Sequence, residues 1–313
     1  MKKQIFAALA ALALTFAAQH GASASDAAPV TVDNYGRKVT VTETPQRVLT
    51  LGPNCTELFI ALGLGDKIIG NTLDNHSRGP LPEYAAEYAR VPELNYGGAA
   101  GRGGGEEGGD VGGGREWGGG GGWVGVAGLE ANGVSTLGGR ASRLDGAYAE
   151  IRRLGKICRS EARAEEFIKE QERRMKAVAD KIRGREPLRV LVYDSGSSGV
   201  FTCSGENFES LLIERAGGEN VFGGLTGKQW VTVSYEEAVA REPQVIVIHD
   251  YDSPSVEAKI AEIKANSALS QLECVKNERF VTIALESVLP GSRMAYAVER
   301  FAAGFYPEIF ADE

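Results

Sequence analysis

Histidine is scarce in this chain. There are three in 313 residues, and His20 lies in the first two dozen, so a mature form would keep only His76 and His249. With Asp250 and Glu286 they make at most a sparse metal site, whereas capture of bare zinc or manganese commonly takes more imidazole. Cysteine is also short. Cys55, Cys158, Cys203 and Cys274 stand far apart, which fits neither a Cys-x-x-Cys metal site nor a small stapled scaffold, and they read as separate thiols. After the N-terminus, no apolar run approaches the roughly 20 residues a membrane-spanning helix needs. Basic charge is outnumbered, 34 Lys and Arg against 42 Asp and Glu for a formal net charge of −8, which argues against nucleic acid as a partner. No serine or cysteine has a base at a recognisable spacing, so a secreted hydrolase is a distant alternative.

What is present suits a globular protein of two ordinary domains, 43% hydrophobic and 24% charged. Lys2 and Lys3, the apolar run Ile5 to Ala18 and the small residues Ala22-Ser23-Ala24 read as an export signal (1–24) cleaved after Ala24. No cysteine stands beside that site to take a lipid, so the expected product is extracytoplasmic and unanchored. Glycine is the anomaly: 18 of the 41 fall in 97–128. The tract contains a Gly-x-Gly-x-x-Gly spacing at Gly103, Gly105 and Gly108, but at this glycine density it arises by chance, with no strand before it or helix after it.

Periodicity gives the order of elements. Val30–Val32 and Lys38–Val41 flank the turn residues 33–36 and read as a hairpin. Strand 47–51, helix 55–64 and strand 67–70 follow in the order that predicts a parallel α/β layer. Ser160 to Arg183 carries apolar residues at helical spacing, ended by Gly184 and Pro187. A second α/β set then runs strand 188–193, Gly/Ser loop 195–199, helix 207–216, helix 234–240, strand 244–248, helix 255–266, strand 279–283, helix 291–305. The expected fold is α/β: two Rossmann-like lobes (25–157 and 185–313) joined by one long rigid helix (158–184).

Asp33-Asn34-Tyr35-Gly36-Arg37, Pro45-Gln46-Arg47-Val48, Glu57-Leu58 and the run Ala61 to Gly70 together resemble the periplasmic binding proteins of ABC importers for ferric siderophores, haem and vitamin B12. So do Ala216 to Phe222, Val231 to Glu236 and Pro243 to Ile248. The resemblance covers both lobes, about 30–96 and 129–310, and implies a ligand cleft between them and a membrane permease as partner of a monomeric protein. It implies an iron chelate, haem or corrinoid as ligand, no covalent cofactor and no catalysis. It also implies that the glycine tract stands where the family has a helix, a buried strand and a cleft loop, as a flexible loop or a degenerate stretch of sequence.

Ligands of open parallel sheets sit beyond the carboxyl ends of strands, which selects the loops to examine. Asn54 or Thr56 can bond a ligand there, although Asn54 is also placed to cap the following helix. His76 and Arg78 lie in the loop after the second strand; an arginine fork suits carboxylate or catecholate oxygens. Ser195, Ser197 and Ser198 can offer hydroxyls and amides to an anion, or form an ordinary connection. Trp230 and Tyr251 can lie against a flat chelate or pack in the core. Glu286 and Arg293 follow the last strand, Arg293 as a second anion contact. The resemblance places permease docking on Glu236, where a helix-dipole role competes; its N-lobe counterpart falls in the glycine tract, with Glu106 or Glu107 as substitutes.

Overall fold

The computed structural model describes residues 11–15, 28–34, 36–72, 78–93, 134–138, 141–196, 198–251 and 253–311. The glycine tract, with Glu106 and Glu107, lies outside them, as do His76, Ser197 and all of the expected export signal except Ala11–Thr15. The described residues fall into two compact units. The first takes in the chain to Thr72, Gly79–Glu93 and Val134–Ile168; the second takes in Arg78 and everything from Lys169 onward.

The first unit begins with strand β1 (Ala11–Thr15) and the hairpin β2 (Val30–Asn34) and β3 (Arg37–Val41). The hairpin turn needs a left-handed residue, and Gly36 supplies it at φ 80, its amide donating to Asp33 Oδ1 at 3.1 Å. Strand β4 (Val48–Leu51), helix α1 (Pro53–Ala61) and strand β5 (Ile68–Thr72) form the parallel unit expected from the sequence. Helix α1 starts with proline in its first turn and Gly52 as N-cap, without a side-chain cap bond. Asn54 is therefore a residue of the helix and not its cap, which corrects the capping alternative. After the short α2 (Ala85–Tyr88) come β6 (Val134–Gly138) and α3 (Leu144–Cys158), an amphipathic helix the periodicity reading missed.

The sheet order in this unit is β5-β4-β1-β6. Strand β1 is antiparallel to both its neighbours, so β4, β5 and β6 run in one direction and β1 alone against it. That foreign strand comes from within the expected export signal. The core is built from Val48, Phe59, Leu62, Ile151, Leu154 and Ile157. Helix α3 meets α4 (Glu161–Lys181) at Gly155, where an added Cβ would come within 2.7 Å of Ala164 Cβ; only glycine permits that approach. The division between the units falls inside α4, after Ile168.

The second unit holds a four-stranded sheet in the order β10-β7-β12-β13, parallel throughout. Its strands are β7 (Leu188–Tyr193), β10 (Gly218–Asn220), β12 (Val245–Asp250) and β13 (Phe280–Ala284). Val190–Tyr193 and Val245–Ile248 are buried without alternation, as expected of central strands covered on both faces. Helices α5 (Phe208–Arg215), α6 (Tyr235–Ala240), α7 (Val256–Ala265), α8 (Glu273–Lys276) and α9 (Met294–Phe305) complete it. Asn207, Ser234 and Ser255 each cap the helix they precede through a side-chain oxygen; such a cap is worth about 1 kcal/mol.

A second sheet was not legible in the periodicity. Ser195–Gly199 is no simple loop: β8 (Ser195–Gly196) turns back on β9 (Val200–Cys203), which pairs in turn with β11 (Trp230–Val233). Gly199 lets this hairpin lie against β11, since a Cβ there would stand 2.3 Å from the Val233 carbonyl oxygen.

Candidate functional site

Strands β7, β12 and β13 are mutually parallel, so their C-terminal ends share one edge of the second unit's sheet. Asp194 and Ser195 follow β7, Asp250 and Tyr251 stand at the end of β12, and Glu286 and Ser287 follow β13. Arg78, part of this unit, reaches the same edge. Its Nε donates to Asp250 Oδ1 at 2.7 Å, its Nη2 to the Tyr251 carbonyl at 2.8 Å, and its amide to Glu286 Oε1 at 2.9 Å. The guanidinium remains exposed, which suits an oxygen-rich partner.

Trp230, at the start of β11, is half-buried. It stacks on Phe201 at 5.4 Å and meets His249 edge-on at 5.6 Å. Behind the edge lies a buried charged cluster. His249 Nδ1 is 2.9 Å from Asp194 Oδ1, and Nε2 is 2.9 Å from Glu209 Oε1. The Tyr251 hydroxyl donates to Asp194 Oδ2 at 2.9 Å, and the fully buried Lys259 donates to the His249 carbonyl at 2.7 Å. Burial disfavours the charged imidazole, yet Glu209 and Asp194 raise its pKa to about 9. Burial pulls the Lys259 ammonium down to about 8, against the pull of Asp194 and Asp250. Burial and the Asp194 charge push the Tyr251 phenol up.

Residues 128–285, about half of the chain, match the periplasmic binding protein family. The chain belongs to that family. The binding protein is 25% identical over 290 residues to an uncharacterized ABC transporter substrate-binding lipoprotein of Bacillus subtilis, covering 91% of this chain and 88% of that one. It is 26% identical over 206 residues to the vitamin B12-binding protein of Yersinia pestis, covering 65% and 69%. Among solved structures it superposes on a periplasmic binding protein from Veillonella parvula at TM-score 0.70, with 21% identity over 90% of this chain and 98% of that one. An ABC-type Fe3+-hydroxamate transport system from Saccharomonospora viridis gives TM-score 0.68, with 21% identity over 88% and 99%. These likenesses establish the two-lobed α/β fold. No helix among the described residues is long and apolar enough to cross a membrane.

The binding protein brings Arg78, Ser195, Tyr251 and Glu286 together at the strand ends of the second unit, with Trp230 against His249 behind them. Ser195 Oγ donates to Asp194 Oδ2 at 3.2 Å, and Ser198 is exposed in the β8–β9 turn. Two expected contacts are turned inward. Arg293, offered as a second anion contact, is buried and donates to Glu286 Oε1 at 3.1 Å and Ser287 Oγ at 3.3 Å. Burial still pushes the Glu286 carboxyl up, against the Arg78 amide and Arg293. Thr56, in the first unit, is buried and shares a 2.7 Å hydroxyl bond with Thr50 while donating to the Gly52 carbonyl at 3.2 Å. Those bonds tie α1 to β4.

Asn54 is likewise buried in the first unit. Glu236 is exposed in the first turn of α6, where Glu237, not Glu236, closes the capping box with Ser234. Glu236 takes no part in that cap, and its place in the first turn keeps the helix-dipole role open beside docking. Cys55, Cys158, Cys203 and Cys274 are not joined in disulfides. Sequence reasoning missed Asp194, Glu209 and Lys259. The signals were available: an acid directly after a buried strand, an acid between Phe208 and Leu212, and a lysine on the Val256–Ile263 face of α7.

Proposed function

We propose that this binding protein captures a ferric siderophore or a related metal chelate outside the inner membrane and hands it to the permease of an ABC importer, without chemical turnover. The observation that carries the reading is the meeting of Arg78 and Tyr251 at the strand ends of the second unit, with the Trp230 ring packed on His249 behind them. The guanidinium is exposed while paired with Asp250, so an anionic chelate oxygen would compete with Asp250 for it, and aromatic rings offer flat faces to a chelate or macrocycle. Family membership supports transport over catalysis, and relatives named for vitamin B12 and Fe3+-hydroxamate support a large metal-bearing ligand.

Glu236 is the permease-docking residue of this reading. An exposed acid at an interface rim contributes chiefly to orientation and encounter. Export, cleavage after Ala24 and the absence of a lipid anchor complete the proposal; the Bacillus relative is named a lipoprotein, so an intact mass for the secreted chain starting at unmodified Ser25 tests this part. The ligand part is tested by tryptophan quenching and thermal shift with ferric hydroxamates, ferric catecholates, haem and cobalamin. Saturable binding of one class supports it. Binding of bare zinc or manganese alone would replace it with a metal-ion binding protein.

A further inference from the structure

His249 sits one residue before the end of β12, fully buried, and both its ring nitrogens face carboxylate oxygens at 2.9 Å. Carboxylates only accept hydrogen bonds, whereas a neutral imidazole has one donor and one acceptor nitrogen. With both carboxyls ionised two donors are required, which makes the ring an imidazolium clamped between Asp194 after β7 and Glu209 on α5.

The clamp reaches the surface through one more residue. Asp194 uses Oδ1 for His249 and Oδ2 for the Tyr251 hydroxyl, which also lies 3.1 Å from the Asp194 carbonyl. Lys259 on α7 stands 3.4 Å from the centre of the Tyr251 ring and donates to the His249 carbonyl. Around the imidazolium are therefore Asp194 from β7, Glu209 from α5, Tyr251 at the end of β12, Lys259 from α7, the Cys203 thiol from β9 beside Glu209, and the uncharged Trp230 edge from β11.

We propose that His249 is a positioning residue: as a doubly bonded imidazolium it holds Asp194, and through Asp194 it fixes the Tyr251 phenol at the strand ends, so that loss of its second proton releases Tyr251 and weakens ligand binding. Without that proton the bare Nε2 lone pair faces the Glu209 carboxylate, and repulsion displaces the ring. The effect on ligand rests on the chelate-binding reading given above; the coupling of His249 to Tyr251 does not.

The test uses the full chain with 15N-labelled histidine and 13Cζ-labelled tyrosine, followed by NMR against pH. His249→Gln and Tyr251→Phe assign the two signals. The expected result is that both His249 nitrogens are protonated at neutral pH and that the Tyr251 signal shifts with the same midpoint as His249. Glu209→Gln, which lies across the ring from Tyr251, should lower both midpoints together and weaken binding of the chelate found by screening by about tenfold above the new midpoint. A Tyr251 signal that stays fixed while His249 titrates, or one unprotonated His249 nitrogen at pH 6, overturns the proposal. Should Glu209→Gln fail to fold, the alkaline titration of the unaltered chain reads the same coupling. If Tyr251 follows His249 but no chelate binds, the positioning stands and the chelate reading falls.

Discussion

Replacing His249 by glutamine removes the charge at the centre of the second unit while keeping a polar side chain of similar reach. In the folded chain the imidazolium persists to about pH 9, against 6.5 for a free histidine. That interval corresponds to about 3 kcal/mol of stability at 1.36 kcal/mol per unit. The sign follows from linkage: a pKa raised by folding contributes fully below about pH 6.5 and is lost as pH rises through about 9. Lys259 behaves oppositely, since burial lowers its pKa from 10.5 to about 8; its cost is full below about pH 8 and is relieved above it. It is present in both chains, so it cancels to first order in the difference between them. Urea unfolding of the two chains, followed by fluorescence at several pH values, should show a gap that is widest near pH 6 and narrows by about 3 kcal/mol by pH 9. A constant floor from buried carboxylates left short of donors will remain. A gap that does not change with pH, or that widens toward alkali, would refute the imidazolium.

Three further outcomes follow from other parts of the molecule. Arg78→Ala should weaken chelate binding by about tenfold or more while changing stability by less than about 1 kcal/mol, because its pair with Asp250 is partly exposed; isothermal titration and a thermal melt separate the two. Glu236→Lys should leave chelate affinity unchanged and abolish uptake in a transport assay, since it reverses an exposed charge that takes no part in the Ser234–Glu237 capping box; normal uptake would remove the docking assignment. Removing residues 1–24 takes β1 from between β4 and β6, so amide exchange at Val48–Leu51 and Val134–Gly138 should accelerate relative to the full chain. Unchanged protection there would mean that another segment fills the place of β1.

The elements that periodicity revealed are those whose burial is one-sided or complete over a long run. Leu188–Tyr193 is bounded as expected, and strand 244–248 is displaced by one residue at its start and two at its end, because uninterrupted apolar residues mark central parallel strands. Capping serines and asparagines fixed the starts of α5, α6 and α7 within a residue. The hairpin β8–β9 escaped because its first strand is two residues long and reads as Ser-Gly turn chemistry, although Val200-Phe201-Thr202 is strand-like in composition. Helix α3 escaped because its apolar positions, from Ala147 to Cys158, are diluted by Arg152, Arg153 and Lys156 and begin only just beyond the glycine tract.

The site was legible in part. Arg78 and Tyr251 are recognisable as polar or aromatic residues in loops after strands, and the structure brings them together. The inward turn of Arg293 was not legible, because nothing in the sequence pairs it with Glu286, seven residues earlier and buried with it. The Asp194–His249–Glu209 clamp joins residues 40 and 55 positions apart, a separation that only the parallel order of β7 and β12 closes. His249, weighed in the sequence as a sparse metal ligand, instead has both nitrogens taken by carboxylates.

The central claim is capture of a metal chelate at the strand ends of the second unit. Titrating the secreted chain with a panel of ferric hydroxamates, ferric catecholates, haem and cobalamin, beside zinc and manganese salts, tests it most directly when unaltered protein and Arg78→Ala are run together. Saturable quenching by one chelate class, weakened by the substitution, is the expected result. Response to the bare metals alone, or chelate binding indifferent to Arg78, would contradict it.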